Sequence, residues 1–119
     1  MQWVPENKKT GSLFIHWQLF DYYICIMTLH NFKDSLLADS PPHLSIYLQA
    51  LWYDAKSNWE KAHNLIQEVN DEKAAWIHAY LHRKEGDIGN ADYWYRRARK
   101  TRPDISLNDE WENISNALL

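Results

Sequence analysis

One cysteine, Cys25, cannot close an internal disulfide and cannot supply a thiolate zinc site. A lone thiol fits a reducing compartment, so a cytoplasmic setting is expected. With only 3 glycines and 4 prolines, the chain has little turn-forming material and should consist of long regular elements joined by short turns. An excess of charge of one sign is also lacking. The net charge of −3 excludes a strongly basic nucleic-acid binder at the level of the whole chain. A spanning helix needs about 20 apolar residues. The most apolar stretch, Leu13 to Leu29, is short and is broken by His16, Gln18 and Asp21, which argues against a membrane segment. No phosphate loop, paired-carboxylate site or catalytic nucleophile is recognisable, so neither enzymatic activity nor a cofactor is expected.

What is present is a single domain's worth of chain with an aromatic surplus. A chain of 119 residues buries roughly two-thirds of its unfolded surface. Its 45% hydrophobic and 24% charged residues are ordinary for a globular protein. Seven Trp and seven Tyr exceed what so small a core normally hides, so some should lie on a binding surface.

Residues 1–26 read as an N-terminal extension and residues 27–119 as one helical domain. Met1 to Ser12 are polar and should be poorly ordered. Lys8 and Lys9 ahead of an apolar run invite a signal-peptide reading, but Gln18, Asp21 and the lack of a small-residue cleavage site oppose it. Leu13, Trp17, Phe20, Ile24 and Met27 keep a helical spacing, although the run is also rich in strand-favouring residues. Met27-Thr28 reads alternatively as a natural start, with Thr28 as N-cap and Leu29, Phe32, Leu36 and Leu37 forming one helical face.

The remaining chain is well punctuated. Ser40-Pro41-Pro42 should cap and open a helix from about His43 to Lys56, with Ile46, Ala50 and Tyr53 inward. Ser57 and Glu60 form a capping box for a helix running to about Val69 and burying Trp59, Ala62, Ile66 and Val69. Asn70-Asp71 restarts the chain into a helix from about Glu72 to Glu85, which Gly86 ends. Asp87 caps a helix from about Ile88 to Lys100, and Pro103 closes it. Ser106 or Asn108 opens a last amphipathic helix with Trp111, Ile114 and Leu118 on one side.

Two of these segments repeat with a period of 29 residues, which lays Ala50 on Ala79, Tyr53 on His82, Asp54 on Arg83, Ala62 on Ala91, Ile66 on Tyr95 and Val69 on Ala98. Alanines at the crossings predict closely packed helical hairpins. The pattern Ala79-x2-His82, then Ala91-x3-Tyr95-x2-Ala98-x4-Pro103, resembles a tetratricopeptide repeat. His82 stands where the family has an aromatic residue, and the period is shorter than the usual ~34. The segment from Met27 to Pro103 is also similar to a group of small bacterial proteins. The resemblance implies an all-α, tetratricopeptide-like array of helical hairpins, closed by a C-terminal capping helix.

Three constellations offer chemistry. His78 and His82, four apart on one helical face, would suit a metal if a third ligand came from His63, Asp54 or another chain. The stronger reading makes them core histidines bonded to backbone or tyrosine oxygens. Arg96, Arg97, Arg99, Lys100 and Arg102 beside Tyr93, Trp94 and Tyr95 would suit a nucleic-acid backbone. Cations also gather at helix C-termini because they complement the dipole. An anionic protein segment is therefore preferred over nucleic acid as partner. Finally, the family's concave groove would place Tyr47, Asp54, Trp76, Tyr80 and Arg83 at a partner-binding surface, with Arg83 and Asp54 paired across its floor. The alternative packs Trp76 and Tyr80 against the N-terminal helices. The sequence thus predicts an interaction module for a peptide or protein segment, or for a second copy of the chain. The competing class is a metal-binding protein or enzyme built on His78 and His82.

Overall fold

The computed structural model describes residues 27–119. The readings made on residues 1–26, including the helical spacing of Leu13, Trp17, Phe20 and Ile24, lie outside the described residues. Every regular element from Met27 onward is helical. Helix α1 spans Leu29–Asp34 and runs into a 3-10 turn, Ser35–Leu37; α2 spans Ile46–Ala55, α3 Trp59–Ile66, α4 Glu72–Lys84, α5 Ile88–Arg97 and α6 Leu107–Leu118. None of these helices is long and apolar enough to cross a membrane.

Each helix begins at a side chain that accepts the N–H of the residue three positions on. Thr28, Ser45, Asn58, Asp71, Asp87 and Ser106 play this part in turn. Such caps contribute about 1 kcal/mol apiece. In two places the start differs from the expected one. Ser45, not Ser40, caps α2, so the Pro41-Pro42 segment precedes the helix instead of forming its first turn. Asn58, not Ser57, caps α3.

Ser57 is displaced from capping because it ends α2. Its φ is 64°, in the left-handed region, as are Gly86 at 91° and Arg99 at 60°. Ser57 donates its N–H to the Asp54 carbonyl, and Asn58 donates to Tyr53. The same paired bonds run from Gly86 to Arg83 and Asp87 to His82, then from Arg99 to Arg96 and Lys100 to Tyr95. This is the Schellman arrangement, which satisfies carbonyls the helix leaves open. Ser57 and Gly86 are 29 positions apart, so the sequence period reappears in the backbone. An L side chain in this conformation costs about 1 kcal/mol, which glycine avoids. Ser57→Gly is therefore expected to raise the urea-unfolding free energy by about 1 kcal/mol. Gly86→Ala should lower it by a similar amount through the backbone alone, since a Cβ there meets nothing within 4 Å.

Helices α2 and α3 pack as one hairpin and α4 and α5 as a second, and α6 lies against both α2 and α4. Ala50, Ala62, Ala79 and Ala91 are all fully buried, as the expected helix crossings require. The main core gathers Phe32, Leu48, Leu51, Trp52, Ile66, Ile77, Leu81, Trp111 and Ile114, and a smaller cluster joins Ala79, Ala91 and Tyr95. Helix α1 is tied in by Phe32, which stacks on Trp111 at 5.5 Å, and by Trp52 Nε1, which donates to Ser35 Oγ at 3.1 Å. Two residues expected inside are outside. Leu37 is 89% exposed because the 3-10 turn rotates it off the face shared by Phe32 and Leu36. Ile46, in the first turn of α2, is also exposed, and Leu48, Leu51 and Trp52 fill that helix's inner face.

Candidate functional site

The expected groove is largely closed. Asp54 and Tyr80 are each only 2% exposed, and they bond to one another, with the Tyr80 hydroxyl donating to Asp54 Oδ2 at 3.2 Å. Burial, reinforced by the neighbouring Asp54 carboxylate, pushes the Tyr80 hydroxyl well above its ordinary pKa. Asp54 is not paired with Arg83. Its other oxygen takes Lys84 Nζ at 3.0 Å. Arg83 turns toward α6 and donates to Glu110 Oε1 at 2.7 Å and to the Ile105 carbonyl. The Tyr95 hydroxyl also lies within hydrogen-bond distance of both Glu110 oxygens, at 2.8 and 2.6 Å. The physical reason is α6 itself. Its Leu107, Trp111, Ile114 and Leu118 seek the apolar side of the hairpins, and Glu110 on the same helix carries a carboxylate that must be paired to be buried. Asp54 and Tyr80 therefore lie inside the packed helices, and Arg83, half-buried, is bonded to α6.

Three of the five expected groove residues keep some accessible surface, Arg83 beside α6 and, away from it, Tyr47 and Trp76. Tyr47 and Trp76 are half-buried. The Tyr47 hydroxyl donates to Asp71 Oδ2 at 2.5 Å, and Lys73 Nζ lies over its ring at 5.7 Å. The same bond holds the Asp71 carboxyl below its usual range. Lys100 Nζ lies 4.1 Å above the Trp76 ring. Beside this pair a cavity of about 260 Å³ is lined by Trp76, Lys100, Thr101, Pro103, Ile105, Glu110 and Asn113. The cations at the end of α5 and just after it are mostly committed within the chain. Arg99 pairs with Glu72 at 3.0 Å, Arg102 with Asp92 at 2.8 Å, and Arg97 covers Tyr93 and Trp94.

His78 and His82 are buried, and their contacts are not the expected backbone and tyrosine oxygens. His63, projecting from α3, joins them. Its Nε2 lies 3.0 Å from His78 Nε2. One ring nitrogen from each of the three histidines lies within 4.8 Å of the others. Trp59 stacks on His63 at 4.8 Å, and Trp94 stacks on His78 at 3.9 Å. Trp59 is itself fixed by its Nε1, which donates to the Leu81 carbonyl at 2.7 Å. His82 Nδ1 lies 2.7 Å from Glu85 Oε2. The carboxylate can only accept, so the proton of this contact is on Nδ1, and Nε2 is the ring nitrogen left to face its neighbours. Asn90 Nδ2 approaches that nitrogen at 3.4 Å. Burial, together with the neighbouring His63 and His82, lowers the His78 pKa to about 4. Burial, then His82, also lowers that of His63. Burial thus disfavours the charged forms of His63 and His78, and across their 3.0 Å contact one Nε2 donates its N–H while the other accepts. His63 was legible only as one of several third ligands. It neighbours the crossing alanine Ala62 and sits one turn beyond Trp59, and this spacing is the signal that could have singled it out. Asp54, another of those candidates, is taken up by Tyr80 and Lys84.

No family model, curated protein or solved structure compared with this chain matches it. The functional reading therefore rests on the two surfaces just described, the aromatic–lysine face and the histidine cluster.

A second cavity, about 420 Å³, opens between the end of α3 and α5, with Glu68, Asn70, Asp71, Ala75, Trp94 and Arg97 among its lining. Its walls are mainly polar loop and helix-end groups. It touches the histidine cluster only through Trp94, the ring that stacks on His78.

Proposed function

We propose that the chain is a tetratricopeptide-like helical-repeat interaction module that binds an acidic protein segment bearing an apolar anchor, without catalytic activity of its own. The observation that carries this reading is the pairing of half-buried aromatic rings with exposed lysines, Tyr47 under Lys73 and Trp76 under Lys100, beside a cavity walled by Pro103 and Ile105. Trp and Tyr are among the residues that carry most of the binding energy at protein interfaces. Carboxylates of a bound segment would take the lysines while an apolar side chain enters beside Trp76. The repeated hairpins, with alanine crossings and equivalent helix ends at Ser57 and Gly86, support the tetratricopeptide likeness. The commitment of Arg97, Arg99 and Arg102 to partners within the chain supports a protein partner over nucleic acid. A single cysteine supports a reducing, cytoplasmic setting.

Acidic peptides with and without a Trp or Leu anchor, titrated against the full chain by fluorescence anisotropy, test the reading. Anchored acidic peptides should bind. Lys100→Glu should weaken them at least tenfold, about 1.4 kcal/mol, with an unchanged melting temperature because Lys100 is exposed. Equal binding of neutral and acidic peptides, or full affinity in the Lys100→Glu variant, would sink it. Trp76 is a poorer probe, because its ring packs against both core clusters and its removal also costs stability. If sedimentation shows self-association that Lys100→Glu abolishes, the occupant is a second copy of the chain.

A further inference from the structure

We propose that His63, His78 and His82 together form a binding site for one divalent d-block metal ion, with zinc as the expected occupant. The first argument is convergence. In tetrahedral zinc sites, bonds of about 2.0–2.1 Å place neighbouring ligand nitrogens about 3.3 Å apart. The His63 and His78 Nε2 atoms are already 3.0 Å apart, and all three donor nitrogens lie within 4.8 Å of one another. The His63–His78 pair is already near that spacing, and His82 has at most about 1.5 Å to close.

The second argument is orientation. A ligating histidine ordinarily gives its other N–H to a carboxylate, which fixes the ring and raises its basicity. Glu85 stands in that relation to His82. Trp59 and Trp94 flank the group, stacked on His63 and His78 respectively. They restrict ring rotation and shield the cluster from water. Asn90 holds the remaining His82 nitrogen by a long contact that an ion would replace.

The donor set decides the class of ion. Magnesium and calcium take oxygen ligands, and none of the three converging donors is an oxygen. Imidazole nitrogen suits zinc, copper, nickel and iron. Three protein ligands leave a fourth coordination position for water or for a group from a partner. The placement also has a mechanical meaning. His63 belongs to the first hairpin, and His78 and His82 to the second. A bound ion would cross-link the two hairpins. This proposal stands apart from the docking face at Trp76 and Lys100, so either can fail alone.

The test is titration of the full chain, stripped with a chelator, with zinc chloride in a calorimeter, and with cobalt chloride in a spectrophotometer. One zinc per chain is expected, with a Kd in the micromolar range or tighter. Cobalt should give the intense visible bands of a tetrahedral nitrogen-ligated ion, and magnesium should give no heat. Zinc should raise the melting temperature. His63→Gln and His78→Gln should each weaken binding at least tenfold. The cobalt spectrum of any variant that still folds without metal serves as the check that folding is not the cause. Glu85→Gln should weaken binding by about 10–100-fold and shift the cobalt bands without removing them. A variant lacking the exposed His30 and His43 should bind as the wild type does. The proposal is overturned if the folded wild-type chain takes up no zinc at tenfold excess. It is equally overturned if His63→Gln binds unchanged, or if loss of His30 and His43 abolishes binding.

Discussion

Arg83→Ala is expected to lower the stability of the protein by about 3–5 kcal/mol in urea unfolding, the usual cost of leaving one member of a buried ion pair alone. Glu110 is almost wholly buried, and Arg83 is the cation within reach of its carboxylate, at 2.7 Å. Tyr95 still donates to the carboxylate after the substitution, which places the result toward the lower end of that range. The guanidinium also holds the Ile105 carbonyl, so the loop leading into α6 loses its anchor. The double variant Arg83→Met, Glu110→Leu should recover much of the loss, because an apolar pair of similar volume removes the unpaired charge. A single variant as stable as wild type would mean that Glu110 reaches solvent and that α6 does not sit as described. If Arg83 instead belonged to an open groove, its loss would change partner affinity and leave stability alone.

Trp111→Ala should cost a similar amount, about 3–5 kcal/mol. The ring is buried at the centre of the main core and stacks on Phe32 at 5.5 Å and an interplanar angle of 7°. Its Nε1 donates to the Leu51 carbonyl at 3.0 Å. Truncation thus leaves a cavity between α1, α2 and α6 and an unpaired carbonyl. Trp111→Phe should cost less, since it keeps most of the packing and loses the hydrogen bond. Thermal unfolding followed by circular dichroism separates the two variants. A Trp111→Ala protein that melts within a few degrees of wild type would show that α6 is an accessory and not part of the core. The two experiments examine the same helix by different physics, Arg83 through charge burial and Trp111 through apolar packing.

The sequence by itself determined what local chemistry can determine. Asp71, Asp87 and Ser106 announced helix starts because their short polar side chains satisfy open N–H groups. Gly86 announced a helix end because it takes positive φ without strain. The 29-residue spacing of Ala50, Ala62, Ala79 and Ala91 marked the helix crossings, since only a small side chain allows so close an approach. What the sequence could not decide was which face each helix shows to which neighbour. Tyr47, Asp54, Trp76, Tyr80 and Arg83 all lie on the first helices of the hairpins, and that shared position alone suggests one groove. Only the tertiary structure places α6 over Arg83 and takes Asp54 and Tyr80 inside, because Glu110 and Trp111 need partners that those hairpins supply. His78 and His82 were visible as a pair through their spacing along one helix. His63 reaches them across a helix crossing, and such proximity follows from packing, to which no spacing along the chain corresponds.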